Sequence, residues 1–128
     1  REHDQNLSQF QKIPKNRKIH MAALCHSTID KEVTFKLGEE TCTFTGKGID
    51  QMMKTSGGDT MVQFQNDRGL EDLKLEFPGE DITVHTNAEY RFGDGRFWVN
   101  HVEVSDETDT TDDFNSLSAF MITWETGG

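Results

Sequence analysis

The residues best equipped for chemistry crowd into positions 63–74, where Gln63, Gln65, Asn66, Arg68, Glu71, Asp72 and Lys74 set amides beside both charge signs. Amides, carboxylates and guanidiniums donate and accept hydrogen bonds in fixed directions, which is what holding a sugar or a polar peptide requires. The plainer reading is that they are the water-facing side chains of a strand–turn–strand.

Other constellations fail on geometry. Cys25 beside His26 offers a nucleophile and a base, but neighbours on a strand point to opposite faces, so no thiol catalysis is expected. His20 and His26 share a strand face about 20 Å apart at roughly 3.3 Å per residue, too far to share a metal. The acidic run Asp106 to Asp113 has carboxylates for calcium, yet an EF-hand register from Asp106 puts Thr111 and Leu117 where Gly and Glu are needed, and a solvated loop is expected. Gly46-Lys47-Gly48 and Gly93-Asp94-Gly95 open no helix, so they read as turns rather than phosphate cradles. No catalytic residue, metal or cofactor is expected.

These side chains need strands to position them. From Ile19 the period is two, with Ile19, Met21, Ala23 and Cys25 on one face and His20, Ala22, Leu24 and His26 on the other. Ser27 to Lys31 reads as a turn, followed by strands at 33–37 and 41–45. The 46–58 stretch shows no clear pattern. Strands are expected again at 60–65, after a turn at 66–69 through Leu73, Leu75 and Phe77, and from Ile82. Asp94-Gly95 marks a hairpin, because Gly tolerates the positive φ such turns demand. Beyond it Phe97 to Val104 and Phe114 to Trp124 close the domain, with Phe120, Ile122 and Trp124 on one face. Many short strands without a ten-residue helix predict an all-β, two-sheet antiparallel sandwich. Residues 1–18 read as a polar arm that lies outside the core or crosses its edge, and 19–128 as one domain.

Composition narrows the partners. Of the 128 residues, 13 are Lys or Arg and 23 Asp or Glu, a formal charge of -10 that repels phosphate backbones and anionic lipid. Nucleic acid and membrane are therefore not expected partners. Lys12, Lys15, Arg17 and Lys18 form a local basic run that reads as solvated. Nine Phe, two Trp and one Tyr supply large apolar groups for a core. No apolar run approaches 18 residues and no signal segment is visible, so a cytoplasmic location, or an extracellular one without a visible signal peptide, is expected. Cys25 and Cys42 are too few for a disulfide framework and read as two strand-buried thiols.

Over 19–124 the layout resembles the galectins. Ile19-His20-Met21-Ala22-Ala23 with Val33-Thr34-Phe35-Lys36-Leu37-Gly38 is similar to that family's early strand pair. Gly58-Asp59-Thr60-Met61-Val62, Phe77-Pro78-Gly79-Glu80, Glu89-Tyr90 and Trp98-Val99-Asn100 are similar to later segments. The resemblance implies a jelly-roll sandwich that binds glycans. Its sugar-site runs fall on Lys47-Gly48-Ile49-Asp50-Gln51, Val62-Gln63-Phe64 and Gly69 to Lys74, so Lys47 and Asp50 join Gln63, Gln65, Asn66, Arg68, Glu71 and Lys74 as the expected ligand-binding set. The family's sugar-stacking Trp is missing there, and Lys74 lacks the planar fork of Arg.

A second resemblance, Glu32 to Glu40, is similar to a strand and turn of intracellular fatty-acid-binding barrels. The expected function is non-catalytic binding of a glycan or glycoprotein, with altered glycan or protein specificity, by a monomer or weak homodimer. A lipid-carrying barrel and a protein-interaction domain are the alternatives.

Overall fold

The computed structural model describes residues 6–77, 82–106 and 117–126. Eight strands follow in order: β1 (Asn6–Ile13), β2 (Arg17–Leu37), β3 (Glu40–Met52), β4 (Val62–Asn66), β5 (Glu71–Glu76), β6 (Ile82–Phe92), β7 (Phe97–Asp106) and β8 (Leu117–Glu125). Every pairing between them is antiparallel, in one sheet ordered β1-β5-β2-β8-β7-β6, with β3 and β4 also paired to β2. No helix among the described residues is long and apolar enough to cross a membrane.

The 21-residue β2 makes two layers from this one sheet. Its first half, 17–25, pairs with β8 on one side and β4 on the other, while 34–37 pairs with β5 and 31–37 with β3. On one side of β2, therefore, the chain parts into β8-β7-β6 and β5-β1. The first layer is β4-β2-β8-β7-β6, the second β3-β2-β5-β1, and Gln11 of β1 reaches across to Asn100 of β7 at 3.1 Å. The sandwich expected from the strand spacing is the fold observed.

The break expected at Ser27 to Lys31 is instead a pair of register shifts inside β2, between Cys25 and Ser27 and between Ser27 and Lys31. The Ser27 hydroxyl accepts the Ile29 amide at 3.0 Å, replacing a ladder bond that the bulge removes. Polar residues thus bend the strand without ending it. At its far end Gly38, with φ 61°, turns Leu37 onto Glu40. Gly93, Asp94 and Gly95 all take positive φ between Phe92 and Phe97, the hairpin expected there.

Residues 6–13 form an edge strand on β5, and Phe10 and Ile13 enter the core. Between the layers, Ile19, Met21, Ala23 and Cys25 meet Val33, Phe35, Leu37, Phe44, Leu73 and Leu75 in one buried cluster. Phe35 and Phe44 pack edge to face at 5.7 Å, an arrangement worth about 0.5–1.5 kcal/mol beyond area burial.

Within the basic run, Arg17 departs from the solvated expectation. It is 2 % exposed, donates to Arg96 O at 2.8 Å and Thr123 O at 3.2 Å, and lies against the Trp98 ring. Its neighbours Lys15 and Lys18 are exposed and half-buried.

Candidate functional site

The outer face of the second layer is polar because β2 and β5 alternate strictly there. Val33, Phe35 and Leu37 point inward, leaving Thr34 and Lys36 outside, and Leu73 and Leu75 leave Asp72, Lys74 and Glu76 outside. Register sets Lys36 opposite Lys74 and Lys12 opposite Asp72. Two ion pairs cross the strands, Lys36 Nζ to Glu76 Oε2 at 2.8 Å and Lys12 Nζ to Asp72 Oδ1 at 3.0 Å. Both pairs are well exposed, so they hold the side chains in place more than they stabilise the fold.

These residues frame an open depression of about 320 Å³ lined by Lys36, Gly38, Glu71, Asp72, Lys74 and Glu76. Arg68 closes one end: its guanidinium lies over Gly38, where an added Cβ would fall 2.3 Å from Nη2, and its Nε is 3.5 Å from Glu71 Oε1. Glycine at position 38 thus serves both the turn and the seat of Arg68. The depression alternates donors and acceptors over a few ångströms, the arrangement that vicinal hydroxyls or a polar peptide edge can bridge. It has no aromatic wall, so binding there would rest on hydrogen bonds.

Of the eight expected ligand-binding residues, the structure brings together Arg68, Glu71 and Lys74. Gln63 and Gln65 stand on β4 in the other layer, where Gln63 Oε1 is 2.7 Å from His20 Nε2 and Gln65 donates to Asp67 at 2.8 Å. Lys47 is exposed on β3, and Asp50 on the same strand lies 2.9 Å from His26 Nδ1. Asn66 is 2 % exposed, and its amide donates to the carbonyls of Ile13, Pro14 and Gly69, each at 2.9 Å, while its oxygen accepts Arg68 N–H at 3.1 Å. It braces the β1–β2 and β4–β5 connections and presents nothing to solvent.

Lys36, Asp72 and Glu76 line the depression but are not in the expected set, and Lys12 stands beside it through its ion pair with Asp72. The alternation of Asp72-Lys74-Glu76 was visible in the sequence, whereas the pairing that puts Lys36 and Lys12 beside them was not. Cys25 and His26 point to opposite faces: the thiol is buried and the imidazole faces Asp50. Burial raises the Cys25 thiol, and it pushes Cys42 up to about 11. Both cysteines are free. The acidic run 107–113 lies outside the described residues.

No family model and no curated protein matches the sequence. Among solved structures the chain is similar to a high-affinity mannose-binding lectin of Ralstonia solanacearum, at 16 % identity and TM-score 0.65 over 91 % of this chain and 95 % of that one. A Chromobacterium violaceum lectin in complex with α-methyl-fucoside is similar at 16 % identity and TM-score 0.64, over the same shares. The C-terminal domain of a Burkholderia cenocepacia lectin is similar at 17 % identity and TM-score 0.61, over 97 % of each chain. The chain therefore has the fold of a small β-sandwich found in bacterial lectins.

Proposed function

We propose that this chain is a non-catalytic carbohydrate-binding module. The observation that carries the reading is that similar folds, matched over 91–97 % of this chain, are described as lectins, one of them mannose-binding and one holding a methyl fucoside. The polar depression around Glu71, Asp72 and Lys74 supports it, because sugar hydroxyls act as both donor and acceptor and need both partners close together. The finer reading is a divergent specificity, in which mannosides and fucosides are to be tested beside the β-galactosides that the galectin resemblance suggests. The lipid-barrel alternative finds no support in an interior filled by Phe35, Phe44, Leu73 and Leu75.

The test is a glycan array run on the chain, its Glu71→Ala and Lys74→Ala variants, and a Gln63→Ala variant. Binding weakened about tenfold by the first two, equivalent to a lost charge-assisted hydrogen bond or two, supports the reading and its site. Loss at Gln63→Ala alone moves the site to the first layer. Five carboxylates crowd the 106–113 run, so the array is repeated in EDTA, and binding lost there moves the site to that run. A silent array with fatty-acid displacement by the same preparation overturns the reading.

A further inference from the structure

The charges around the depression on the second layer do not balance. Each of the carboxylates that line it has a cation of its own: Glu76 pairs with Lys36, Asp72 with Lys12 and Glu71 with Arg68. Lys74 lines the same depression and is exposed, and no described carboxylate pairs with it. Register sets Lys74 directly opposite Lys36, where side chains start about 4.5–5.5 Å apart and like charges repel. Arg68 also keeps donors unspent. Its guanidinium donates to no described residue: Glu71 Oε1 stands 3.5 Å from Nε, beyond ordinary hydrogen-bond range, and Nη2 lies over Gly38 at the end of the depression. Lys12, Lys36, Arg68 and Lys74 thus outnumber Glu71, Asp72 and Glu76 by one, a local positive surplus in a chain of net charge -10. Glu39 and Glu40 follow Gly38 but do not line the depression.

We propose that the depression takes a sugar bearing a carboxylate, with Lys74 and Arg68 as the groups that hold it. The inference rests on the glycan reading and names the class of sugar. A carboxylate presents two oxygens in one plane, which the Nη groups of an arginine meet side by side, while an ammonium acts on them as a point charge. A negative charge bound there also relieves the repulsion between the facing lysines. One such charge is what the surplus balances. A phosphomonoester brings about two, and a polysulfated chain would run along a strongly acidic protein that repels it. A single carboxylate feels that distant field little, since exposed charges are screened beyond about 8 Å at physiological ionic strength. Glu71 and Asp72 keep acceptor positions after pairing, because an ionised carboxylate has about four, and these suit hydroxyls of the same sugar ring.

The experiment titrates the full chain with methyl glucuronide, methyl sialoside, neutral methyl glucoside and a sulfated methyl glucoside, followed by amide NMR shifts. At least one carboxylated sugar should bind about tenfold more tightly than the neutral glucoside, the worth of a charge-assisted hydrogen bond, and which of the two does so identifies the acid. The amides of Gly38, Glu71 and Lys74 should move. Lys74→Gln and Arg68→Gln should each cut the preference for the acid by about threefold or more. Both residues are exposed, so the variants keep the fold, which circular dichroism checks. Lys54→Gln removes the same charge from an exposed site opposite Thr45 and should leave the preference intact. A preference that survives both site variants, or a sulfated sugar bound as tightly as the carboxylated ones, overturns the proposal. Neutral glycans bound on the array with no preference for the acids overturn it and leave the glycan reading standing, whereas a silent array removes both.

Discussion

The guanidinium of Arg17 lies 4.1 Å from the centroid of the Trp98 ring, and that of Arg91 lies 3.9 Å from the same centroid. Both cations thus lie against one indole, whose Nε1 donates to Gly95 O at 2.7 Å. Burial and the nearby charge of Arg91 pull the Arg17 pKa down, and Glu125 opposes them. Arg17→Lys keeps the charge but loses the fork and the stacking plane. It should lower unfolding stability by about 1–3 kcal/mol in urea titrations, with Arg17→Ala costing more because Thr123 O and Arg96 O then lose a donor. A loss below 0.5 kcal/mol would mean the cation–π contact is incidental.

Asn66 is expected to act on stability before binding. A carboxylate cannot donate to three carbonyls, so Asn66→Asp should destabilise by about 2–4 kcal/mol and exceed Asn66→Ala, from which the charge is absent. Thermal unfolding of both variants decides it. Equal losses would show that only the turn geometry matters.

Cys42 has a thiol pushed up to about 11 by burial. Iodoacetamide labelling of the folded chain at pH 8 should therefore be slow at Cys42 and rise as pH approaches that value, since the thiolate is the nucleophile. Between the ordinary value of 9.0 and about 11 the folded state holds the proton that the unfolded state has lost, so stability falls as pH rises through this window. Labelling at pH 8 as fast as in the urea-unfolded chain contradicts the burial.

Glu89 is held below the usual carboxylate range, first by the bond from Arg91 at 2.6 Å and then by that from Gln11 at 2.7 Å, with burial opposing. The stability this gives is present above the ordinary value of 4.5 and is lost as pH falls through the lowered one. Glu89→Gln should flatten the acid limb of the stability curve below pH 4.5 and leave it above pH 6 nearly parallel to wild type. An unchanged acid limb would place the acid sensitivity elsewhere.

Period-two alternation alone sorted much of this chain. It placed Ile19, Met21, Ala23 and Cys25 on one face, the face that enters the core, and put Asp72, Lys74 and Glu76 together opposite Leu73 and Leu75, because consecutive Cβ atoms on a strand must diverge. Asp94-Gly95 marked its hairpin for an equally local reason, the positive φ both residues take. Tertiary structure decided which face of each strand meets which neighbour. In β8 both faces are apolar, so no pattern could tell that Met121 is buried while Ile122 faces outward; the second layer, packing on one side only, settles it. The candidate site divides in the same way. Arg68, Glu71 and Lys74 are close in sequence and stayed close in space, whereas Lys36 joined them, and Lys12 came to pair with Asp72, through ladders spanning tens of residues, and Gln63 and Asp50 were carried off on other strands. Ser27 to Lys31 looked like a turn because all its residues but Ile29 are polar, but a bulge takes the same residues, and the ladders of β3 and β8 keep β2 extended up to both sides of it.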